Sequence, residues 1–222
     1  SLHHSIIVDG NGERDFNESE SYVDAGHAML KQQKKNGKSI PSWIILESRF
    51  RKRYLFGMHL PNMTPKSAYD SGFLVKADSL EQLAAKTGID FDGLKTTIER
   101  FNSFVANGVD EDFGRGNSAY DRYYGDPSYQ NPNLGEIIKP PFYASKVYPG
   151  DLGTKGGFVA NEFSEVLSNG QPVKGLYATG NCSASVMGRT YPGPGSTLGP
   201  ATTFGYIAAN HIKEMLFYVM LH

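Results

Sequence analysis

A loop near the end of the 222-residue chain combines residue types that could do chemistry: TYPGPGSTLGPATTFGY, residues 190–206. Glycine leaves its backbone N–H unobstructed and proline restricts the chain, so a donor in this loop would be held still. The pattern from Leu198 onward predicts a helix, with Pro200 suited to its first turn. Ser196 or Thr197 can cap that helix. A glycine loop at a helix start favours an anion or the acceptor-rich edge of a ligand.

The same loop also fits a second interpretation, a rigid surface turn that caps an ordinary helix. The residues alone leave both interpretations open. No phosphate-loop signature accompanies the loop, and the chain contains no G-x-G-x-x-G sequence.

Other reactive residue types form no recognisable site. The six histidines lack metal-ligand spacing, so no metal is expected, and His3 and His4 are interpreted as a remnant of a cloning or domain boundary. Cys182 is expected to be a small buried residue and not a nucleophile, since no partner base is evident. Val186 and Met187 fit either an apolar pocket or the core.

The composition narrows the class of protein. Hydrophobic residues make up 39% of the chain, as in an ordinary globular domain. The net charge of −1 gives no support to nucleic-acid binding. A single cysteine excludes an intrachain disulfide and fits a cytoplasmic protein, although a secreted protein without disulfides or one peripheral to a membrane remains open. No run reaches the ~20 apolar residues of a spanning helix.

Hydrophobic periodicity and turn residues predict the elements that must position these residues. A hairpin with a Gly-Asn-Gly turn is expected at residues 5–16, and a helix ending at Gly37 follows. The clearest helix is predicted in DFDGLKTTIERFNSFVANG, residues 90–108, with Leu94, Ile98 and Phe101 on one face. Strands are also predicted in PSWIILES, GFLVKA and FYASKVYPG and on both sides of an Asn-Gly turn. A helix capped by Asp78 or Ser79 follows GFLVKA, and GLYATGN is predicted to be a buried strand.

Residues 109–141 have no periodicity, and loops of this length are usually functional or flexible. Within them, SAYDRYYGDP is interpreted as either a lid over a binding site or a packed loop.

Several of these segments resemble one enzyme family. GLYATGN and SVMGRTYPGPGSTLGPATTFGY resemble the C-terminal signature of the 3-ketosteroid Δ1-dehydrogenases, flavoproteins of the fumarate reductase and succinate dehydrogenase superfamily. NGERDFNE, DSLEQLAAKTGID, TIERFNSFVANGVDEDFGRG, SAYDRYYGDP and KPPFYASKVYPGDLGTKGG resemble the same family in the same order. The resemblance covers residues 5–211.

The resemblance implies an α+β fold in two parts. Residues 1–153 would be a mixed α/β capping (catalytic) domain, and residues 154–222 the C-terminal strands and helix of a Rossmann-like FAD domain. Members of the family begin with an FAD-binding half that carries G-x-G-x-x-G. This chain is therefore expected to be a C-terminal fragment that partners the missing N-terminal half, and to be inactive and a weak FAD binder alone.

The resemblance also implies a reaction, the FAD-dependent introduction of a C1–C2 double bond into a 3-ketosteroid. A proton leaves C2 and a hydride leaves C1 for flavin N5, and an external acceptor takes the electrons. By family match, Tyr191 and the Gly195 N–H bind the C3 oxygen, and such donors contribute ~3–4 kcal/mol each in studied oxyanion holes. The residues expected near FAD are Gly180, Asn181, Gly195, Ser196, Thr197 and Leu198.

The base that removes the C2 proton is, by resemblance, Tyr22 in NESESYVDAG. The ordinary tyrosine pKa of about 10 makes it a poor base without help from neighbours, which the family supplies as another tyrosine in the missing half. The alternative for Tyr22 is an aromatic residue at a helix start with no catalytic role.

Two other functions stay open. The chain could be another FAD-dependent oxidoreductase of the superfamily, or a non-catalytic binding or assembly module with the same fold.

Overall fold

The structure, a computed structural model, describes residues 2–150, 153–154 and 156–221, with side chains to Phe217. The chain divides into two compact units, Ser1–Pro149 and Gly150–His222. The predicted boundary between residues 153 and 154 adjoins positions 151, 152 and 155, which lie outside the described residues, as does His222.

The first unit is built on a four-stranded sheet. Every neighbouring pair is antiparallel, in the spatial order β1-β2-β4-β3. Ile6 lies opposite Ile45, and Ile45 lies opposite Ala144, so apolar side chains line one face across three strands. The strands are β1 (Ser5–Val8), β2 (Ser42–Leu46), β3 (Val75–Ala77) and β4 (Phe142–Val147).

Helices cover that face and close the core. Leu83 of the fourth helix and Leu94, Ile98 and Phe101 of the fifth are buried against the strands, as the helical spacing predicts. Ser79 caps the fourth helix by accepting the Gln82 N–H at 3.1 Å. The helices are α1 (Tyr22–Asn36), α2 (Ser48–Arg53), α3 (Lys66–Asp70), α4 (Leu80–Thr87), α5 (Phe91–Asn107) and α6 (Ala119–Tyr123).

The predicted hairpin at residues 5–16 is wrong, because the residues after β1 do not form a second strand. Instead, β1 pairs with β2. The Asp9 carboxylate accepts the N–H groups of Asn11 and Glu13, at 2.8 and 3.1 Å, which turns the chain locally. A side chain thus takes the donors that a second strand would have used.

Four buried charged side chains hold the segment after this turn. Arg14 donates to Glu18 at 2.7 Å and to Asp110 at 2.8 Å. Arg115 is completely buried and donates to Glu18 at 3.2 Å and to the Ser5 carbonyl at 2.8 Å. The charges of the two guanidinium groups and the two carboxylates cancel. These interactions therefore join the start of the chain to the 110–115 segment without net buried charge.

The second unit contains a β-hairpin and one long helix. Strands β5 (Glu165–Ser168) and β6 (Gln171–Tyr177) flank the predicted Asn-Gly turn, and helix α7 spans Leu198–Leu221. The prediction of a strand in GLYATGN is confirmed as far as Tyr177, but the prediction that it is buried is wrong, because Leu176 is 44% exposed. In the described residues of this unit, β6 pairs only with β5, which covers one edge of the strand and leaves much of its surface open.

Candidate functional site

The loop before α7 is shaped by hydrogen bonds to its own glycines. The Ser196 hydroxyl donates to the Gly193 carbonyl at 2.6 Å, and the Ser196 N–H donates to the same oxygen at 3.2 Å. Ser196 therefore fixes the turn and does not cap the helix. Thr197 occupies the N-cap position, because its carbonyl accepts the first helical hydrogen bond, from Ala201. Tyr191 begins this loop and is half-buried.

Gly195 presents an accessible backbone donor at the helix start. Its φ of +95° lies where residues with a β-carbon are strained. No described atom lies within 4 Å of the position that a β-carbon would take. Within the described ranges, no residue accepts a hydrogen bond from its N–H. The Gly195 N–H thus fits an acceptor atom of a ligand.

A cleft in the second unit gathers most of the residues predicted to contact a cofactor. Gly180, Asn181, Ser196 and Thr197 line it, together with Val186 and Phe204. Two predicted contacts, Gly195 and Leu198, flank Ser196 and Thr197 in sequence but do not line the cleft, and Leu198 is 73% exposed.

The two sides of the cleft are joined directly. The Thr179 hydroxyl donates to the Ala201 carbonyl at 3.2 Å. A β-carbon on Gly180 would lie 3.2 Å from the Ala201 β-carbon, so the corner after β6 rests on the first turn of α7. The two segments therefore line one cleft beside the N-terminal, positive end of a helix.

Cys182 differs from its prediction, because its side chain is exposed and not buried. The thiol donates to the Thr179 carbonyl at 2.9 Å, in the short 3₁₀ turn Gly180–Cys182. That turn projects from the end of β6, where no core is available to bury a small apolar side chain.

Tyr22 is the first residue of α1 and is 49% exposed. Ser21 caps this helix, its hydroxyl accepting the Val23 N–H at 3.3 Å. Tyr22 belongs to the first unit, whereas Tyr191 and Gly195 belong to the second.

A carboxylate with a perturbed pKa lies two residues before Tyr22. Burial, together with the nearby charges of Asp24, Asp121 and Glu18, raises the pKa of Glu20 to about 7. The sequence does not reveal this environment, because Asp121 approaches from a segment about a hundred residues away. Only Asp24 and Glu18, within four residues of Glu20, gave a local signal.

The interpretation of His3 and His4 as a boundary remnant is wrong. His3 is fully buried and donates from Nε2 to the Asn131 carbonyl at 2.8 Å, and His4 donates from Nδ1 to the Glu136 carbonyl at 2.7 Å. The His3 ring stacks on Tyr129 with 3.7 Å between centroids. The two histidines thus anchor the long loop to the sheet. In the described ranges, no group of three or more histidine, cysteine, aspartate or glutamate side chains could hold a metal.

The segment SAYDRYYGDP is a packed loop in this structure. Asp121 and Asp126 are buried, and the Tyr54 hydroxyl donates to Asp126 at 2.5 Å. Tyr123 is 76% exposed. The segment is therefore held by its two aspartates.

None of the helices in the described part of the chain is long and apolar enough to cross a membrane.

Comparison with known proteins gives concordant results. The family described as FAD binding domain matches residues 4–198. The chain is 52% identical over 217 residues to a 3-oxosteroid 1-dehydrogenase of Mycobacterium tuberculosis, covering 95% of this chain and 38% of that protein. It is 53% identical to the protein of the same name from Mycolicibacterium smegmatis, covering 92% of this chain and 37% of that protein.

A solved structure is also similar. It is the 3-ketosteroid Δ1-dehydrogenase of Sterolibacterium denitrificans in complex with 1,4-androstadiene-3,17-dione, with a TM-score of 0.91 and 43% identity. The match covers 95% of this chain and 39% of that one. The chain thus spans well under half the length of the relatives that it matches. The family model matches most of this mixed α/β chain, residues 4–198. This chain therefore belongs to the FAD binding domain family of flavoproteins.

Proposed function

We propose that this chain is the C-terminal part of an FAD-dependent 3-ketosteroid Δ1-dehydrogenase. The observation that carries the proposal is the loop before α7, which places the accessible Gly195 N–H four residues after Tyr191. The 52% identity to a 3-oxosteroid 1-dehydrogenase supports a steroid substrate over other ketones.

The cleft of the second unit fits a flavin. An aromatic ring edge with several acceptor atoms needs backbone donors and little steric bulk. Gly180 adds no side chain to the cleft, and Thr197 places the cleft beside the start of α7. Gly195, Asn181 and Leu198 complete the proposed contacts. When bound, FAD would supply the acceptor for the hydride from C1, the carbon next to C2, from which the proton is removed.

Tyr191 and Gly195 are proposed to bind the C3 oxygen of the steroid. Loss of the C2 proton moves negative charge onto that oxygen, so donors held in place before the reaction stabilise the charge as it develops. The Ser196 contacts to Gly193 hold the loop, and the prolines on either side restrict its backbone. The donors are thus positioned before the substrate binds.

Tyr22 is proposed to take the C2 proton on its phenolate oxygen, after its own hydroxyl proton has passed to a neighbouring group supplied by the N-terminal half. Its exposure at the first turn of α1 leaves the side chain accessible to a ligand. The buried core below α1 fixes the backbone that carries it, through Met29 in the middle of the helix.

A longer polypeptide is proposed to complete the site. This chain covers 38% of the length of its M. tuberculosis relative, and its proposed cofactor contacts all come from the second unit. We expect the chain alone to bind FAD weakly, and an N-terminal FAD-binding half to raise the affinity. An external electron acceptor would then reoxidise the flavin.

The test compares Tyr191→Phe with Tyr206→Phe in the full-length enzyme. Tyr206 is a 74% exposed tyrosine on α7 and serves as the matched control. We expect Tyr191→Phe to lower turnover of a 3-ketosteroid by about 10²- to 10³-fold, since one donor to the developing oxyanion is lost. Mass spectrometry of the steroid, which loses two hydrogens, measures the rate.

Three results would contradict the proposal in different ways. Normal turnover by Tyr191→Phe would remove Tyr191 from the site. Turnover of other ketones but not of steroids would favour another oxidoreductase of the superfamily. A full-length protein that binds steroid but no FAD would favour a non-catalytic binding module.

A further inference from the structure

The segment that leads into Tyr22, residues 17–21, is held from a distant part of the chain. The Asn17 side chain donates from Nδ2 to Asp121 Oδ2 at 2.9 Å, and its Oδ1 accepts the Ser19 N–H at 2.8 Å. The Asn17 carbonyl accepts the Glu20 N–H at 3.1 Å. One asparagine thus shapes the turn that enters α1 and ties it to α6.

Asp121 is the centre of this arrangement. Asp121 is only 2% exposed. Its Oδ2 also accepts the Gly116 N–H at 2.9 Å, and its Oδ1 accepts the Ser118 hydroxyl at 2.7 Å. Both carboxylate oxygens therefore have donors, and one of these donors comes from the 17–21 segment.

Asn133 provides a second connection between the same segments. Its Nδ2 donates to the Asp121 carbonyl at 2.8 Å and to the Ser19 hydroxyl at 3.0 Å. Ser19 is itself 3% exposed. Side chains that are buried and held by several hydrogen bonds keep a neighbouring group in one geometry.

We propose that Asp121 is a positioning residue for Tyr22, fixing the turn from which the tyrosine emerges on α1. The inference rests on the proposed role of Tyr22 as the base. A base must lie within hydrogen-bond reach of the proton that it removes, so a small displacement of its backbone lowers the rate of proton removal. Binding of the steroid depends on other groups and is affected less.

A second buried aspartate in the same loop offers a matched control. Asp126 accepts from the Tyr54 hydroxyl at 2.5 Å, from the Ser128 hydroxyl at 2.6 Å and from Arg53 at 2.7 Å. These contacts connect the loop to α2 and not to the 17–21 segment. Asp121→Ala and Asp126→Ala therefore remove comparable buried carboxylates, and only the first removes the support of Tyr22.

Kinetics of the full-length enzyme test the proposal. We expect Asp121→Ala to lower kcat by about 10- to 100-fold with little change in KM, and to raise the isotope effect of C2-deuterated steroid. Asp121→Asn should restore most of the rate, because its oxygen can still accept from Asn17 and Gly116 while its amide donates to Ser118. Asp126→Ala should keep both kcat and the isotope effect near the wild-type values.

Two more variants keep the outcome decisive. If Asp121→Ala does not fold, Asn17→Ala cuts the same connection while leaving the bonds within the α6 loop, and the same loss of kcat is expected. Equal effects of Asp121→Ala and Asp126→Ala, or no effect of the Asp121 and Asn17 variants, would overturn the inference. Full activity of Tyr22→Phe would instead overturn the proposed base.

Amide hydrogen exchange gives a readout that does not depend on activity. Faster exchange at residues 17–23 in Asp121→Ala, but not in Asp126→Ala, is expected. Unchanged exchange at these residues in Asp121→Ala would show that the carboxylate does not hold the turn.

Discussion

The backbone of Gly93 is pressed against the carbonyl oxygen of Asn11, so closely that a β-carbon at position 93 would overlap that oxygen. Gly12 meets the Leu94 backbone in the same way. The Asp90 N–H donates to the Gly10 carbonyl at 3.0 Å beside this contact. The turn after β1 therefore docks on the first turn of α5 by direct backbone contact.

This contact predicts that Gly93→Ala destabilises the fold. The added methyl must push the turn or the helix away, at a cost of about 1–3 kcal/mol. Gly26→Ala is the control, since a β-carbon at that helical position meets no described atom within 4 Å and removes a flexible residue from α1. It should stabilise by up to about 1 kcal/mol. Denaturant unfolding of both variants decides the matter, and equal stability would contradict the close contact.

The buried ring of His3 predicts a loss of stability in mild acid. Desolvation lowers its pKa from 6.5 to about 4 in the folded state. The unfolded chain takes up a proton below pH 6.5 while the folded chain does not, so stability is full above pH 6.5 and falls towards pH 4. The effect of this one group is at most about 3 kcal/mol.

His3→Gln should flatten that part of the pH–stability curve while keeping a donor for Asn131. His27 is exposed on α1, and His27→Gln should leave the curve unchanged. Thermal unfolding at several pH values between 4 and 7 measures the difference. A His3→Gln curve with the same pH dependence as the wild type would contradict the assignment.

Glu20 predicts the opposite change at higher pH. Its pKa is raised from 4.5 to about 7, so the folded state binds its proton more tightly than the unfolded chain does. The contribution of Glu20 is fully present below pH 4.5 and is lost as the pH rises through 7. At pH 8 we expect Glu20→Gln to be more stable than the wild type by about 1–2 kcal/mol, after allowance for solvent screening. Glu99→Gln, at an exposed position, should have no such effect.

The conformation of Gly195 predicts that it cannot be replaced without loss of turnover. Alanine at a φ of +95° is strained, so the loop of Gly195→Ala should shift and move the N–H. Gly199 has an open β-carbon position and no positive φ, which makes Gly199→Ala the matched variant. We expect a loss of about 10²-fold or more in kcat for the first and little change for the second. Comparable rates for the two would argue against a role for the Gly195 donor.

Elements with strong local patterns are those that the sequence predicts well. The apolar stripe of α5 and the cap residue of α4 give helices where expected, and the Asn-Gly turn gives the β5–β6 hairpin. The first hairpin fails because Asp9, a single side chain, takes backbone donors that the strand pattern assigned to pairing. Local pattern does not show which of two acceptors a backbone N–H will use.

The residues of the candidate site also differ in how well the sequence predicts them. Tyr191, Gly195 and the cleft residues lie close together in sequence, so a motif identifies them. The support of Tyr22 depends on Asp121 and Asn133, which approach from more than ninety positions away. Burial of His3 likewise depends on a loop that the chain reaches much later. No periodicity within a short window carries such information.

The sheet of the first unit also determines how that unit would respond to tension. Ser5 and Tyr143 both lie beside Leu46, whereas Val8 and Val147 lie at the other end of β2, beside Trp43 and Ser42. β1 and β4 thus run in the same direction on either side of β2. A pulling force applied at Ser5 and Val147 would load the strands in shear, and their hydrogen bonds would have to break together rather than unzip singly. We therefore expect the first unit to resist mechanical extension between Ser5 and Val147.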